Sequence, residues 1–488
     1  MQAAITIGKR AFFVSFFALL TIIVFAGILS YTVPPGSYES AMVDGVEVID
    51  PDSYERLDSV DFPVWKIIAA PVLVLFSSDS LIIIVITLFI IFVSGSITVL
   101  QNSGVIPELI RATAERFAEH KRILIAILVL IFMAFGAVMG IFEEVVLLVP
   151  IAISISLSLG WDRLTGLGLS ILAAGFGFSA AISNPFSIGV AQQIAGLPLF
   201  SGAGFRVIIF AVTYVILLVF MFAYTARIEA RRPALETGES GPGGSDDPDG
   251  SAKGAGDAPA FAPQGSAGQI RSAFRIFLGS LIFIVMYLGI ASGIPAISGY
   301  SMPIIALLFV ISALITGLAA GTDLRRIGKY FLSGSLAVLP GVLLILMAAS
   351  VKNIVVESRI LYTILNEAAG IIRGQQNFFG VAAVYLLVFV LNLFVGSASA
   401  KALLVMPIIT PLSDILGFTR QTAVLAFSFG DGFSNLLFPT NAVLLIALGI
   451  SSVSYGKWFK FVIPIQALMF FLSLGWLYLA TLIGYGPY

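Results

Sequence analysis

The chain contains no cysteine, which excludes disulfides, thiolate metal sites and cysteine nucleophiles. Histidine is almost as scarce. The single one, His120, lies in a charged stretch between apolar runs and reads as a solvated loop residue, because one histidine without neighbouring ligands makes a poor metal site. Charge is sparse too: Asp, Glu, Lys and Arg make up 11% of the 488 residues, against about 25% in an ordinary soluble chain. The net charge of −1 offers no electrostatic footprint for a nucleic-acid partner. What remains is apolar, at 59% of the residues with a mean hydropathy of +1.05, so most of the chain must face lipid.

Spanning a bilayer takes about 20 mostly apolar residues. The first run, 11–33, follows Lys9 and Arg10 and exceeds a signal-peptide core of about 7–15 residues, so it reads as a retained first span. The other candidates are 80–100, 122–137, 145–158, 163–196, 203–226, 273–292, 301–320, 331–349, 377–395, 402–416, 421–450 and 459–483. Two pairs, 122–137 with 145–158 and 377–395 with 402–416, are short and joined by polar, glycine-containing tips. They are expected to be re-entrant helical hairpins. The segments 163–196 and 421–450 are long and interrupted by polar residues, as broken helices are. Irregular backbone at membrane depth is tolerated only where it is buried in protein or lines a cavity.

With the hairpins counted as non-crossing and the N-terminus inside, most of the 26 Lys and Arg residues fall on the cytoplasmic side, among them Arg111, Arg231 and Arg325. The expected location is a bacterial-type inner (plasma) membrane, crossed many times. Residues 233–270 are rich in Gly, Pro, Ala, Ser and Asp, and are expected to form a disordered cytoplasmic linker. It separates a first transmembrane repeat, 1–232, from a connecting helix and second repeat, 271–488. At a constant offset of 257 residues, Leu147 aligns with Leu404, Pro150 with Pro407, Gly160 with Gly417, Arg163 with Arg420, Gly175 with Gly432, and Ser183-Asn184 with Thr440-Asn441. The added span 273–292 starts the second half on the opposite side, so the repeats are expected to be inverted. The fold class is therefore an all-α polytopic membrane protein of two inverted repeats, each with a re-entrant hairpin and a broken helix. Secondary transporters recur on this plan, with their sites at the repeat interface near the midplane.

The first tip reads from Gly136 to Gly140 and runs on to Glu143 and Glu144; the second reads Gly396-Ser397-Ala398-Ser399-Ala400-Lys401. Ser397 and Ser399 can donate hydrogen bonds, though serines in membrane helices are often packing residues. Glu143, Glu144 and Lys401 are more telling, because charge at membrane depth is costly and marks a pathway, a pair or a proton relay. The offset sets Glu144 opposite Lys401, which suggests either a structural pair between the tips, or a Lys401 that binds a substrate carboxylate while a glutamate meets a cation or proton. In the broken helices, Ser183-Asn184-Pro185 and Pro439-Thr440-Asn441 favour unwound segments, since proline removes a backbone donor. The half-helices that follow would aim positive dipole ends inward, favouring an anionic group. Asp431, Ser434 and Asn435 precede the second break and are candidates for ion coupling. Ser183, Asn184, Ser397, Ser399, Lys401, Thr440 and Asn441 are the candidate substrate ligands. The acids Glu143, Glu144 and Asp431 outnumber Lys401, which leaves room for a cationic solute.

The stretches PPGSYE, SNPFSIGVAQQIAGLP and LAFSFGDGFSNLLFPTNA resemble those of YfcC-like members of the anaerobic four-carbon dicarboxylate carrier family, within the ion transporter superfamily of inverted-repeat carriers. The resemblance covers nearly the whole chain outside the linker. It implies two hairpins, two broken helices, a homodimer whose scaffold helices support a moving transport region, and a site built from the polar residues of tips and breaks. Substrates in that group are dicarboxylates or basic amino acids. The expected function is thus secondary transport of a small carboxylate-bearing metabolite by sodium or proton coupling or by exchange, with no cofactor beyond that possible ion. Arginine/ornithine-type antiport is the alternative, and a channel the alternative of another class. An enzyme is disfavoured: there is no histidine cluster, no GxxxxGK[ST] and no evident nucleophile–base pair.

Overall fold

A computed structural model describes residues 9–486 except 44–45, 51, 59, 61, 78–79, 118, 237–264, 293–299 and 374–376. The long apolar runs form helices because a backbone in lipid must satisfy its own N–H and C=O groups. Eight helices among the described residues are long and apolar enough to cross a membrane. The protein is an all-α polytopic membrane protein, with only four short strands among the described residues.

The first half comprises α1 (Lys9–Thr32), α2 (Val64–Leu73), α3 (Ser80–Asn102), α4 (Val105–Phe117), α5 (Lys121–Ala134), α6 (Val149–Ser158), α7 (Arg163–Leu167), α8 (Ala173–Ala180), α9 (Val190–Ile194) and α10 (Ala203–Glu236). Two antiparallel strand pairs lie between α1 and α2: β1 (Gly36–Ser37) with β4 (Glu55–Arg56), and β2 (Ser40–Val43) with β3 (Val46–Ile49). The second half follows with α11 (Ala267–Ser292), α12 (Ser301–Ala319), α13 (Leu324–Ala337), α14 (Leu339–Glu357), α15 (Ile360–Arg373), α16 (Asn377–Leu391), α17 (Ala398–Leu416), α18 (Arg420–Ser434), α19 (Ala442–Ser451) and α20 (Tyr455–Leu482). Most of the expected linker, 237–264, lies outside the described residues; its two ends belong to α10 and α11.

Hydropathy misread one region and passed over three others. The candidate span 331–349 is two helices, α13 and α14, that meet at Val338. Helix α13 is amphipathic, with Arg325, Arg326 and Lys329 exposed and Ile327 buried, so its average hydropathy falls below that of a span. Helices α2, α4 and α15 are short and were not among the candidates. In α4, outside the apolar spans, Arg111 grips Glu108 through two nitrogens at 3.0 and 2.7 Å, and its guanidinium holds that carboxyl below the usual range.

Contacts between elements are reciprocal across the two halves. Helix α3 packs on α12 and α13, while its offset counterpart α14 packs on α1 and α2. Helix α17 lies against α9, and α6 against α19. The broken helices α8 and α18 cross each other. A Cβ at Gly175 would sit 2.6 Å from Leu436, and one at Gly432 would sit 2.4 Å from Ser179; Leu436 and Ser179 are themselves offset partners. Gly175 with Leu436 and Gly432 with Ser179 are thus i-to-j′ and i′-to-j pairs at the constant offset. At Gly432 the approach requires glycine, because a Cβ would also lie 2.5 Å from the Ser179 backbone, whereas at Gly175 the obstacle is the Leu436 side chain.

Candidate functional site

Each broken helix stops at a defined place. Helix α8 ends at Ala181, which takes a left-handed conformation (φ 41°), and the chain runs unwound to Asn184. Asn184 then caps the next half-helix, its Oδ1 accepting from the N–H of Phe186 (2.9 Å) and Ser187 (3.2 Å). In the second half, α18 ends at Ser434, and Asn441 caps α19 by accepting from the Leu444 N–H at 3.0 Å. The carbonyls freed by unwinding find donors on neighbouring helices. Arg206, fully buried on α10, donates to the Ile182 carbonyl at 3.0 Å, while Trp458 and Tyr455 donate to Leu436 (2.8 Å) and Leu437 (2.6 Å).

Both tips reach the first break. A wide helical turn, Phe135–Met139, closes on Gly140 (φ 69°), and the carbonyls of Ala137 and Val138 accept from the Ser183 N–H (3.0 Å) and hydroxyl (3.2 Å). Ser397 is exposed and caps α17, accepting from the Ala400 N–H at 3.4 Å. Ser399 donates to the Phe186 carbonyl at 2.8 Å, tying the second tip to the first break. Around these ties several buried polar atoms have no partner: Asn184 Nδ2, Ser187 Oγ, Thr440 Oγ1 and Asp431 Oδ2. Buried polar groups are nearly always satisfied, so such a cluster is where a ligand or water is expected.

The charges are arranged differently from the offset alignment. Lys401 does not face Glu144. Its Nζ donates to Asp431 Oδ1 at 2.7 Å and to Asn392 Oδ1, with both charged side chains 0% exposed. Asn392 Nδ2 donates to Asn435 Oδ1 at 2.9 Å, which also accepts from Asn441 Nδ2 at 2.9 Å. A single network therefore joins the second tip to the second break. The Ser434 hydroxyl is spent on the Gly430 and Asp431 carbonyls of its own helix. Glu143 is exposed at the protein surface, and Glu144 is half-buried beside a small void lined by Phe135, Ile141, Leu281 and Ile284. Neither glutamate has a cationic partner among the described residues.

Two features of the candidate site were missed from the sequence. Asn392 lies inside an otherwise apolar run, where a lone amide was the available signal. Arg163 and Arg420, noticed only as an aligned pair, each bind the C-terminal end of the other half's half-helix: Arg163 Nη1 to the Ser451 carbonyl at 3.1 Å, and Arg420 Nη1 to the Ala195 carbonyl at 3.0 Å. Arg420 is neutralised by Asp414 at 2.7 Å; the offset position of Asp414 holds Leu157, and Arg163 has no acidic partner among the described residues. Arg163 instead lines a cavity of about 180 Å³ with Gln101, Ser154, Phe277, Ser451 and Ser452.

Substitutions at Asn184 can separate its cap from any role of its unpartnered amide donor. Asn184→Ala is expected to lower stability by about 1 kcal/mol through the lost cap and to stop transport. Asn184→Asp keeps the accepting oxygen, so its unfolding temperature should stay near wild type while transport still fails for want of the amide donor. Wild-type transport by Asn184→Asp would remove Nδ2 from the ligand set.

The profile of the family described as C4-dicarboxylate anaerobic carrier matches residues 12–482. An Escherichia coli (strain K12) protein named "Putative basic amino acid antiporter YfcC" is 29% identical over 413 residues, 82% of this chain and 78% of that one. An uncharacterised Haemophilus influenzae protein is 26% identical over 392 residues, 77% and 71% of the two chains. Among solved structures, the Alcanivorax borkumensis YdaH transporter aligns with a TM-score of 0.42 at 15% identity, over 98% of this chain and 100% of that one. Neisseria gonorrhoeae MtrF, described with a class of antimetabolite efflux pumps, aligns with a TM-score of 0.37 at 16% identity, over 98% and 96%.

Proposed function

Because the chain belongs to the C4-dicarboxylate anaerobic carrier family, we propose that it is a secondary active carrier for a small carboxylate-bearing metabolite, a dicarboxylate or an amino acid. One observation carries the substrate class. At the two breaks, the buried donors Asn184 Nδ2 and Thr440 Oγ1 are left without partners beside two asparagine-capped half-helix starts. Amide and hydroxyl donors at helix N-termini suit a carboxylate, because partial positive charge and free N–H groups gather there. Ser183 and Ser399 bridge the tips to this region. In this reading Lys401 is a support for the site, since Asp431 and Asn392 hold it away from solvent.

The reciprocal contacts support inverted halves, and α11 supplies the extra crossing that inversion needs. Alternating access would then move tips and broken helices against a scaffold of α1, α3, α12, α13 and α14, with sodium or a proton as coupling ion, or by exchange. The scaffold is proposed to form the homodimer interface, and the N-terminus and linker are proposed to be cytoplasmic.

A second reading, exchange of a basic amino acid, has its own support. Lys401 and Asp431 cancel each other, which leaves Glu143 and Glu144 as the uncompensated charges of the tips. The E. coli relative's name points the same way. The test is purified protein in liposomes, with unlabelled dicarboxylates, monocarboxylates and amino acids competing for uptake, with and without sodium and pH gradients. Saturable uptake blocked by one carboxylate class supports the carrier; flux that does not saturate would mean a channel. Strict one-for-one exchange of arginine-like solutes would select the second reading.

The cavity at Arg163 is read as the approach to the site from the end where α19 stops. Arg163→Gln should raise the KM for an anionic solute about tenfold, equivalent to about 1.4 kcal/mol, with the maximal rate nearly unchanged. Arg163→Lys should retain most of the affinity. An unchanged KM in the Gln variant would exclude this route.

A further inference from the structure

The second half contains a polar cage that the first half lacks. Lys401, Asn392, Asp431 and Asn435 correspond at the constant offset to Glu144, Phe135, Ala174 and Phe178. Three of the four counterparts are apolar, so the cage is not a packing requirement of the repeat. Its centre is a positive charge held by oxygen atoms: Asp431 Oδ1 at 2.7 Å and Asn392 Oδ1, with Asp431 Oδ2 buried and unpartnered. Asn392 is oriented by the Asn435 oxygen, which turns its own oxygen toward the charge. A carboxylate and an amide oxygen in a dry enclosure beside an unwound segment are also the ligands that a hard monovalent cation takes.

We propose that the Lys401 ammonium is a tethered cation occupying a sodium-type site, so that the second half is held in its charged arrangement without binding a metal ion. The side chain enters from α17, the second arm of the second hairpin, while Asp431 sits on α18 and Asn441 caps α19. One charge thereby joins three moving elements permanently, where a dissociable ion would join them only when bound. The consequence for coupling rests on the carrier reading above: an ion driving transport has to act elsewhere, at the tip of the first half. The cage itself can be tested without any substrate.

Removing the lysine side chain beyond Cβ opens space among the same oxygens and leaves the Asp431 charge uncompensated. Purified full-length wild type, Lys401→Ala, and Lys401→Ala with Asp431→Asn are compared by thermal unfolding in sodium chloride and in choline chloride at equal ionic strength, and by binding of radioactive sodium. Any sodium response of wild type, such as that of a coupling ion at the first tip, is expected to be unrelated to this cage and to persist in all three proteins. Lys401→Ala should unfold several degrees lower than wild type in choline, recover much of that loss in sodium, and bind about one sodium ion per chain more than wild type. The double variant should lose that added response. A Lys401→Ala protein that gains no sodium response over wild type would overturn the proposal. Should that variant fail to fold, wild type and Asp431→Asn decide: a sodium-specific stabilisation of wild type that Asp431→Asn abolishes would show that the cage binds metal despite the lysine and overturn the proposal, and a sodium response the same in both supports the tethered charge. Carboxylate uptake in liposomes is scored separately. Failed uptake with the sodium response intact counts against the carrier, and the converse against the tethered cation.

Discussion

Asp431→Ala is expected to lower stability by about 3–5 kcal/mol, the loss typical when one partner of a buried ion pair is removed and the other charge stays behind. Here the stranded group is the Lys401 ammonium, 0% exposed, with Asn392 as its one remaining hydrogen-bond acceptor among the described residues. Thermal unfolding in detergent should register the loss, and transport should disappear with it because the tether between the second tip and the second break is gone. Replacing both members, as Lys401→Met with Asp431→Leu, removes the buried charge altogether. That double variant should regain most of the stability, since buried pairs replaced by apolar groups of similar volume are often neutral or better. Transport should not return. If the double variant were no more stable than Asp431→Ala, the stranded ammonium would not be the source of the loss.

Gly177→Val is expected to be the most disruptive substitution where α8 packs against the first hairpin. A Cβ at Gly177 would lie 1.9 Å from the Met133 carbonyl oxygen, and one at Gly136 would lie 2.1 Å from the Ala174 carbonyl oxygen. Both obstacles are backbone, so no side chain can swing aside. Helices α5 and α8 would have to separate, carrying the tip away from Ser183 and breaking its bonds to the Ala137 and Val138 carbonyls. Overpacking of this kind costs about 1–3 kcal/mol or more. Transport is expected to fall below detection even in protein that still folds. Gly475→Ala serves as the control: it lies within α20 with nothing within 4 Å of the added Cβ, and helical Gly→Ala is worth roughly 0.5–1 kcal/mol in its favour. Equal damage from both substitutions would argue against close helix approach as the reason.

The features legible in advance were those whose cause is local. The breaks at Asn184 and Asn441 could be placed because Pro185 and Pro439 favour unwinding there, whereas the capping role of both asparagines came only from the structure. Gly175 and Gly432 could be paired because the offset is constant. The candidate span 331–349 ran from α13 into α14 because the exposed Arg325, Arg326 and Lys329 of α13 lie just outside that apolar run. A linear window sees one continuous run, whereas the change of helix at Val338 belongs to the folded chain.

The sequence alone determined that the chain lies in a membrane, that its polar residues gather at two tips and two breaks, and that the two halves share a pattern. These follow from apolar length and from proline and glycine, read within a few turns of chain, and from a spacing of 257 residues that needs no fold to be seen. Which charge meets which was decided only by tertiary structure. Glu144 and Lys401 share an aligned position, yet Lys401 turns to Asp431 and Asn392, while the counterparts of those two residues are Ala174 and Phe135. A buried ammonium is stabilised by the nearest accepting oxygens, and the crossing of helices places oxygens around it in one half and apolar carbon in the other.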